Sequence, residues 1–227
     1  MGFDRIRIKE NAKTHYELNK WNNVLVILIY TFISGGVSVV EKVGDGDEFG
    51  LAVAMIGIIG SVASLFVTSI IYMGVAVWFQ RAIHREKLDV GEMFCAFKER
   101  YTDNVLLVFL KGLFVFLWTL LFVVPGIIKA YSYSVAEYIK MENPNISPSR
   151  AIDISKAMTE GHKMDLFVLD LSFFGWHMLS ALTFGILEVV YVGPYYYAAK
   201  AFAYEEIKAE AIASGRVDAG ELSGYSY

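Results

Sequence analysis

Apolar residues along this chain gather into long runs separated by short polar segments, and the runs set the architecture. From Phe49 to Gln80 there are 32 residues without Asp, Glu, Lys or Arg, more than the roughly 20 that carry a helix across a bilayer. Similar runs predict spans at about 24–40, 49–80, 105–124, 126–141, 164–183 and 186–207. The polar stretch Glu41 to Glu48 (EKVGDGDE) combines Gly with acidic side chains and suits a hydrated loop. From Arg81 to Asp103 the pattern turns amphipathic, with Met93, Phe94 and Phe97 among Arg85, Glu86, Lys87, Lys98 and Arg100, as in a helix lying in the membrane interface. Ser147-Pro148 reads as a cap followed by proline at the first helical position, opening a short cytoplasmic helix to about Glu160. Gly185 starts a tight return between the last two spans. The fold class predicted is all-α, a polytopic bundle of six transmembrane helices with interfacial cytoplasmic helices. A basic helix over 1–23 precedes the bundle of 24–209, and a disordered tail over 210–227 follows it.

Composition fits this reading: 56% of residues are hydrophobic and 19% charged, against about 25% charged in soluble domains. Charge placement sets the topology. Whether 126–141, which contains Lys129 and Glu137, crosses back decides between five and six spans. With six, 17 Lys or Arg, counting Lys200 near the end of the last span, fall on the side of the termini and 2 opposite, with Lys111 inside a span; with five, the split is 10 to 9. The positive-inside rule selects six, with both termini cytoplasmic. A formal net charge of −4 leaves no basic face for nucleic acid. The lone Cys95 excludes an intrachain disulfide and any CxxC metal pair.

The text from Pro125, PGIIKAYSYSVAEYIKMENPNIS, followed by AIDISKAMTEGHKMDLFVLDLSFFGW, LTFGI and GPYYYAAKAFAYEE, resembles the bacterial integral membrane family catalogued as domain of unknown function 975. Lys9 to Trp21 (KENAKTHYELNKW) is similar to that family's entry into its first helix. The resemblance implies a compact bundle of membrane helices in the bacterial cell membrane, and carries no settled activity.

Ionisable residues inside spans are costly and therefore candidates for function. Lys111 and Asp170 each lie about seven residues into their spans, about 10 Å deep at ~1.5 Å per residue, and could pair, with Glu137 nearby. The cluster reads either as a structural ion pair or as part of a solute or proton path, and Lys111 alone could snorkel to the headgroups. His177, near mid-span, is a relay candidate or a packing residue. Gly161, His162, Lys163 and Asp165 form an interfacial turn in which His162 and Asp165 share a helix face. Gly57, Gly60 and Ser64 fall at helical spacing, a face that lets another backbone approach. Tyr131, Tyr133, Tyr138, Tyr191, Tyr195, Tyr196 and Tyr197 could line a pocket or simply sit at the interfaces.

The histidines show no H-x-x-x-H or H-E-x-x-H spacing, so no metal is expected, and no cofactor. Nucleophile-elbow and phosphate-loop motifs are missing from the sequence. The reading is a non-catalytic membrane protein that acts through membrane lipids, a membrane-protein partner or a second copy of itself. The alternatives are a small transporter using the intramembrane polar residues and a membrane enzyme acting on lipid.

Overall fold

The structure, a computed structural model, describes residues 3–43, 50–85 and 88–222, with side chains over 3–34, 64–85 and 88–222. Among these residues the fold is entirely helical: α1 (Arg5–Leu18), α2 (Lys20–Val43), α3 (Gly50–Ala82), α4 (Cys95–Lys98), α5 (Tyr101–Leu121), α6 (Val123–Ser132), α7 (Ala136–Glu142), α8 (Pro148–Met158), α9 (Lys163–Leu182), α10 (Gly193–Ala213) and α11 (Ala219–Leu222). Three described segments are long and apolar enough to cross a membrane: Ser64–Ala82, Tyr101–Leu121 and Lys163–Leu182. Their outward faces agree with that role. Leu106, Phe109, Leu113, Phe116 and Leu120 of α5 form one exposed stripe, and Leu171, Phe174, Met178 and Leu182 of α9 another. Apolar stripes of this size facing outward suit lipid and not water.

Proline sets where α5 ends. The ring of Pro125 conflicts with a helical carbonyl four residues back, at Leu121, which is the last residue of α5. Phe122 is extended (φ −157°), and α6 folds back along α5. The sequence reading ends this span at about 124; the structure ends it at Leu121, and Pro125 lies in the first turn of α6, where no N–H is needed. Gly126 lets the two helices touch, because a Cβ there would stand 2.8 Å from the Cα of Thr119.

The return over 126–141 is made in two pieces. At ten residues, α6 rises about 15 Å, half of a ~30 Å hydrocarbon core. A turn over 133–135 then leads into α7, which is buried at every residue. The break frees the Ser132 carbonyl, which accepts hydrogen bonds from the Ser155 (2.9 Å) and Thr159 (3.3 Å) hydroxyls of α8. Broken helices persist in apolar surroundings only when such groups are met by the protein. Ser147 does cap α8, accepting from the Arg150 N–H at 3.2 Å with Pro148 at the start. The helix is packed against α7 and α5 through Ala151, Ile152, Ile154 and Met158, and does not lie free at an interface.

A second proline explains how the N-terminal helix docks. Pro194 cannot donate to the Val190 carbonyl, a π-helical turn forms over Glu188–Val192, and the Tyr16 hydroxyl of α1 donates to that carbonyl at 2.8 Å. Ile8 and Ala12 bury the rest of this α1 face along α10, and Arg7 pairs with Glu206.

Two expectations change. The segment 81–103 is no free interfacial helix: a 3-10 turn (Val90–Phe94) and α4 fold back on α3, burying Met93, Cys95 and Ala96. Cys95 is buried, and burial pushes its thiol up to about 11. The tail is not disordered from residue 210: α10 runs to Ala213, Gly215 turns the chain at φ +70°, and α11 docks by Val217, Leu222 and a bidentate Arg150–Glu221 pair. Gly185 makes the expected return, at φ +81°. Gly57 and Gly60 lie outside the residues whose side chains are described. Among those that are, the closest approach on α3 is at Gly74, where a Cβ would fall 1.9 Å from the Met93 carbonyl oxygen.

Gly74→Ala is therefore expected to destabilise the purified protein by about 1–3 kcal/mol through overpacking. Gly175→Ala, on open space in α9, should leave the thermal midpoint unchanged or slightly raised, and a melt of both variants beside the parent checks it.

Candidate functional site

The polar interior is organised by α7 (AEYIKME). Its three charged side chains, Glu137, Lys140 and Glu142, are buried. Each takes a partner from elsewhere. Glu137 pairs with Lys111 of α5. Lys140, 1% exposed, donates to Asp103 (3.0 Å) and to the carbonyls of Pro144 (2.9 Å) and Ile146 (2.6 Å). Glu142 accepts from Gln80 (2.9 Å), Tyr204 (2.8 Å) and Lys208 (2.6 Å). Burial raises the Glu142 carboxyl above its ordinary range, and Lys208 and Tyr204 oppose that rise.

Lys111 and Glu137 face a cleft of about 450 Å³ between α3 and α5, also lined by Tyr30, Thr68, Ser69 and Tyr72. Glu137 is 5% exposed and uses one carboxylate oxygen on Lys111; its Oε2 has no hydrogen-bond partner. Lys111 is half-buried. A second, apolar groove of about 310 Å³ adjoins the cleft along Leu65, Phe66, Phe109, Leu113 and Phe116, sharing Ser69, Val108 and Gly112 with it.

Asp170 does not join this pair. It accepts from Lys200 at 3.1 and 3.3 Å, from Tyr131 at 3.1 Å and from Tyr196 at 3.2 Å. The sequence places Lys111 and Asp170 at similar depth, but depth does not fix which face each helix presents. Between the two ion pairs stand packed tyrosines, Tyr30 and Tyr72 on Tyr197 and Tyr197 on Tyr196.

The interfacial turn has the expected His162–Asp165 contact, at 3.4 Å, with Gly161 at φ +89°. It also has a partner the spacing did not reveal: His162 Nε2 lies 2.9 Å from Glu210 of α10, which Arg216 meets at 2.9 Å. The His162 hydrogen bond holds the Glu210 carboxyl below its ordinary range. His177 contacts Glu188 at 3.0 Å across the hairpin. Ser64 is half-buried and is the first residue of α3 whose side chain is described.

Sequence reasoning missed Lys200, Lys208, Glu142 and Gln80. One signal was present: Tyr196, Lys200, Tyr204 and Lys208 recur every four residues, a single stripe of α10. Both lysines on that stripe belong to the interior, each beside the ring one turn before it, at 5.8 and 5.7 Å from the ring centres. Among the described residues no group of three or more His, Cys, Asp or Glu side chains could hold a metal.

Residues 120–211 match the model of a family described as protein of unknown function (DUF975). The resemblance read from the sequence thus holds over α6 to α10, the segment that supplies Glu137, Glu142, Asp170 and Lys200. No curated protein and no solved structure matches the chain.

Lys111→Met and Glu137→Gln should be strongly non-additive in stability, as should Asp170→Asn with Lys200→Met, each pair coupled by more than about 0.5 kcal/mol. Double-mutant cycles by denaturation in detergent check both; additive pairs would contradict the contacts. For Glu210, the depressed carboxyl stabilises the fold at pH values above its ordinary range. That contribution is lost as pH falls through the folded value. Glu210→Gln should therefore flatten the acid side of a melting-temperature profile below about pH 5.

Proposed function

We propose that this is a six-span protein of the bacterial cell membrane, both termini cytoplasmic, that acts without catalysis by holding a membrane lipid in the cleft between α3 and α5. In this reading the spans are 24–40, 49–80, 105–124, 126–141, 164–183 and 186–207. The single observation that carries it is the pairing of two surfaces: a cleft that holds the Lys111–Glu137 ion pair in an otherwise mostly apolar lining, and an apolar groove continuous with it. Intramembrane charges that line a space and are not packed shut are the usual mark of a ligand site. A lipid is the molecule with one polar end and one apolar end that a membrane supplies at high concentration. A membrane-protein partner or a second copy would use the same exposed stripes of α5 and α9.

The small-transporter reading is supported by a different observation, the tyrosine array leading from the Lys111–Glu137 pair to the Asp170–Lys200 pair. It requires water in the cleft. A cysteine placed at Ser69 distinguishes the two, because Cys95 is buried and does not compete. Under lipid binding, Ser69→Cys reacts with a lipid-soluble maleimide and resists a charged thiosulfonate; rapid reaction with the charged reagent favours transport.

The direct test is native mass spectrometry of the full chain released from lipid nanodiscs. The parent should retain phospholipid, and the Lys111→Met, Glu137→Gln double variant should lose most of it. Equal retention by both removes the cleft as the site.

A further inference from the structure

The Lys111–Glu137 pair has a polarity of its own, and its unused capacity describes what would bind. A lysine ammonium offers three N–H donors and a carboxylate offers only acceptors. Lys111 spends one donor on Glu137. Glu137 lines the cleft and spends Oε1 on Lys111, while its Oε2 is buried and unmet. The free functions that remain side by side are therefore a carboxylate acceptor and ammonium donors.

We propose that the cleft selects a zwitterionic phospholipid with a primary ammonium headgroup, the ammonium donating to Glu137 Oε2 and the phosphate accepting from Lys111. The inference rests on the lipid-binding reading above and adds the headgroup class. Charge complementarity carries the choice. An anionic headgroup satisfies Lys111 but sets a negative charge against Glu137, whereas a plain cation satisfies Glu137 and faces Lys111. A headgroup bearing both charges meets both without breaking the pair. The free acceptor also requires an N–H, which an ethanolamine ammonium has and a choline nitrogen lacks. Thr68 and Ser69 line the same space and put hydroxyl-bearing side chains beside the phosphate.

The tail commits the ligand to a lipid and not to a soluble phosphoamine. The adjoining groove is walled by Phe66, Phe109, Leu113 and Phe116 and passes over Gly112, where a Cβ would meet nothing within 4 Å. A straight acyl chain fits along such an open face, and a soluble headgroup leaves it empty. Lys111 stands ten residues after Tyr101, about 15 Å along α5. A headgroup held there has been drawn below the plane of its neighbours, which an uncharged groove could not do.

The test is a native mass spectrometry titration of the delipidated full-length chain with phosphatidylethanolamine, phosphatidylcholine and phosphatidylglycerol of identical acyl chains, beside soluble phosphoethanolamine. The expected order is phosphatidylethanolamine about tenfold tighter than either other lipid, the difference one charge-assisted hydrogen bond makes. Glu137→Gln should erase the preference for ethanolamine over choline. Lys111→Met should weaken every phospholipid, and Lys111→Arg should restore binding. Phe116→Ala, which strips a wall of the groove at a residue that does not line the cleft and changes neither charge, should weaken the lipid and leave phosphoethanolamine unaltered, a control that does not depend on the ion pair for folding. Phosphatidylglycerol bound as tightly as phosphatidylethanolamine would overturn the headgroup inference while leaving the lipid site standing. Phosphoethanolamine bound as tightly as its lipid would overturn the lipid as source. No phospholipid bound at all would overturn both readings.

Discussion

The structure depends on one constraint: a seven-residue helix with three charged side chains lies inside a largely apolar bundle. Removing one partner of a buried ion pair typically costs several kcal/mol, because the other charge is left without compensation. Glu137, Lys140 and Glu142 therefore dictate what must surround α7. Lys111 and Asp103 of α5 serve two of them, and Gln80, Tyr204 and Lys208 from α3 and α10 serve the third. Hydrophobic contact alone cannot align helices in lipid, where the surroundings are as apolar as the side chains. These polar contacts give the bundle a register that packing would leave loose.

The breaks in the helices follow from the same constraint. Were 126–141 continuous with α6, the charges of α7 would be carried along a straight rod. The turn at 133–135 lets α7 leave the line of α6, and α8 supplies Ser155 and Thr159 to the carbonyl that the break exposes. Backbone polar groups obey the same rule at the π-helical turn, where Tyr16 replaces the donor that Pro194 lacks. Of the α7 charges, Lys140 and Glu142 find several partners. Glu137, which lines the cleft, is left with one buried oxygen unmet. The place where the network is incomplete is also the place where a ligand would fit.

Much of this was legible in the sequence. Apolar runs marked several of the helical segments, the end of one run at about 124 marked the α5–α6 break to within a few residues, and Ser147-Pro148 marked the start of α8. Lys111, Glu137 and Asp170 were visible as charges where charges are costly. Their pairing was not, because hydropathy reports depth along a span and says nothing of azimuth. Lys111 turns to Glu137, and Asp170 turns to Lys200 on a helix whose Tyr and Lys stripe is diluted by the alanines around it. The docked residues 217–222 read as part of a tail because Gly and Ser recur over 215–227, while the ion pair that helps to hold them comes from Arg150, about seventy residues earlier.

The most direct measurement is an experimental density map of the protein in a phospholipid nanodisc. The account requires α7 enclosed by α3, α5, α8 and α10, Lys140 sealed from solvent, and elongated density ending at Lys111 and Glu137 with its tail along Phe109 and Phe116. A map with α7 on the surface, or with Lys111 turned to the headgroups and the cleft closed, would contradict it.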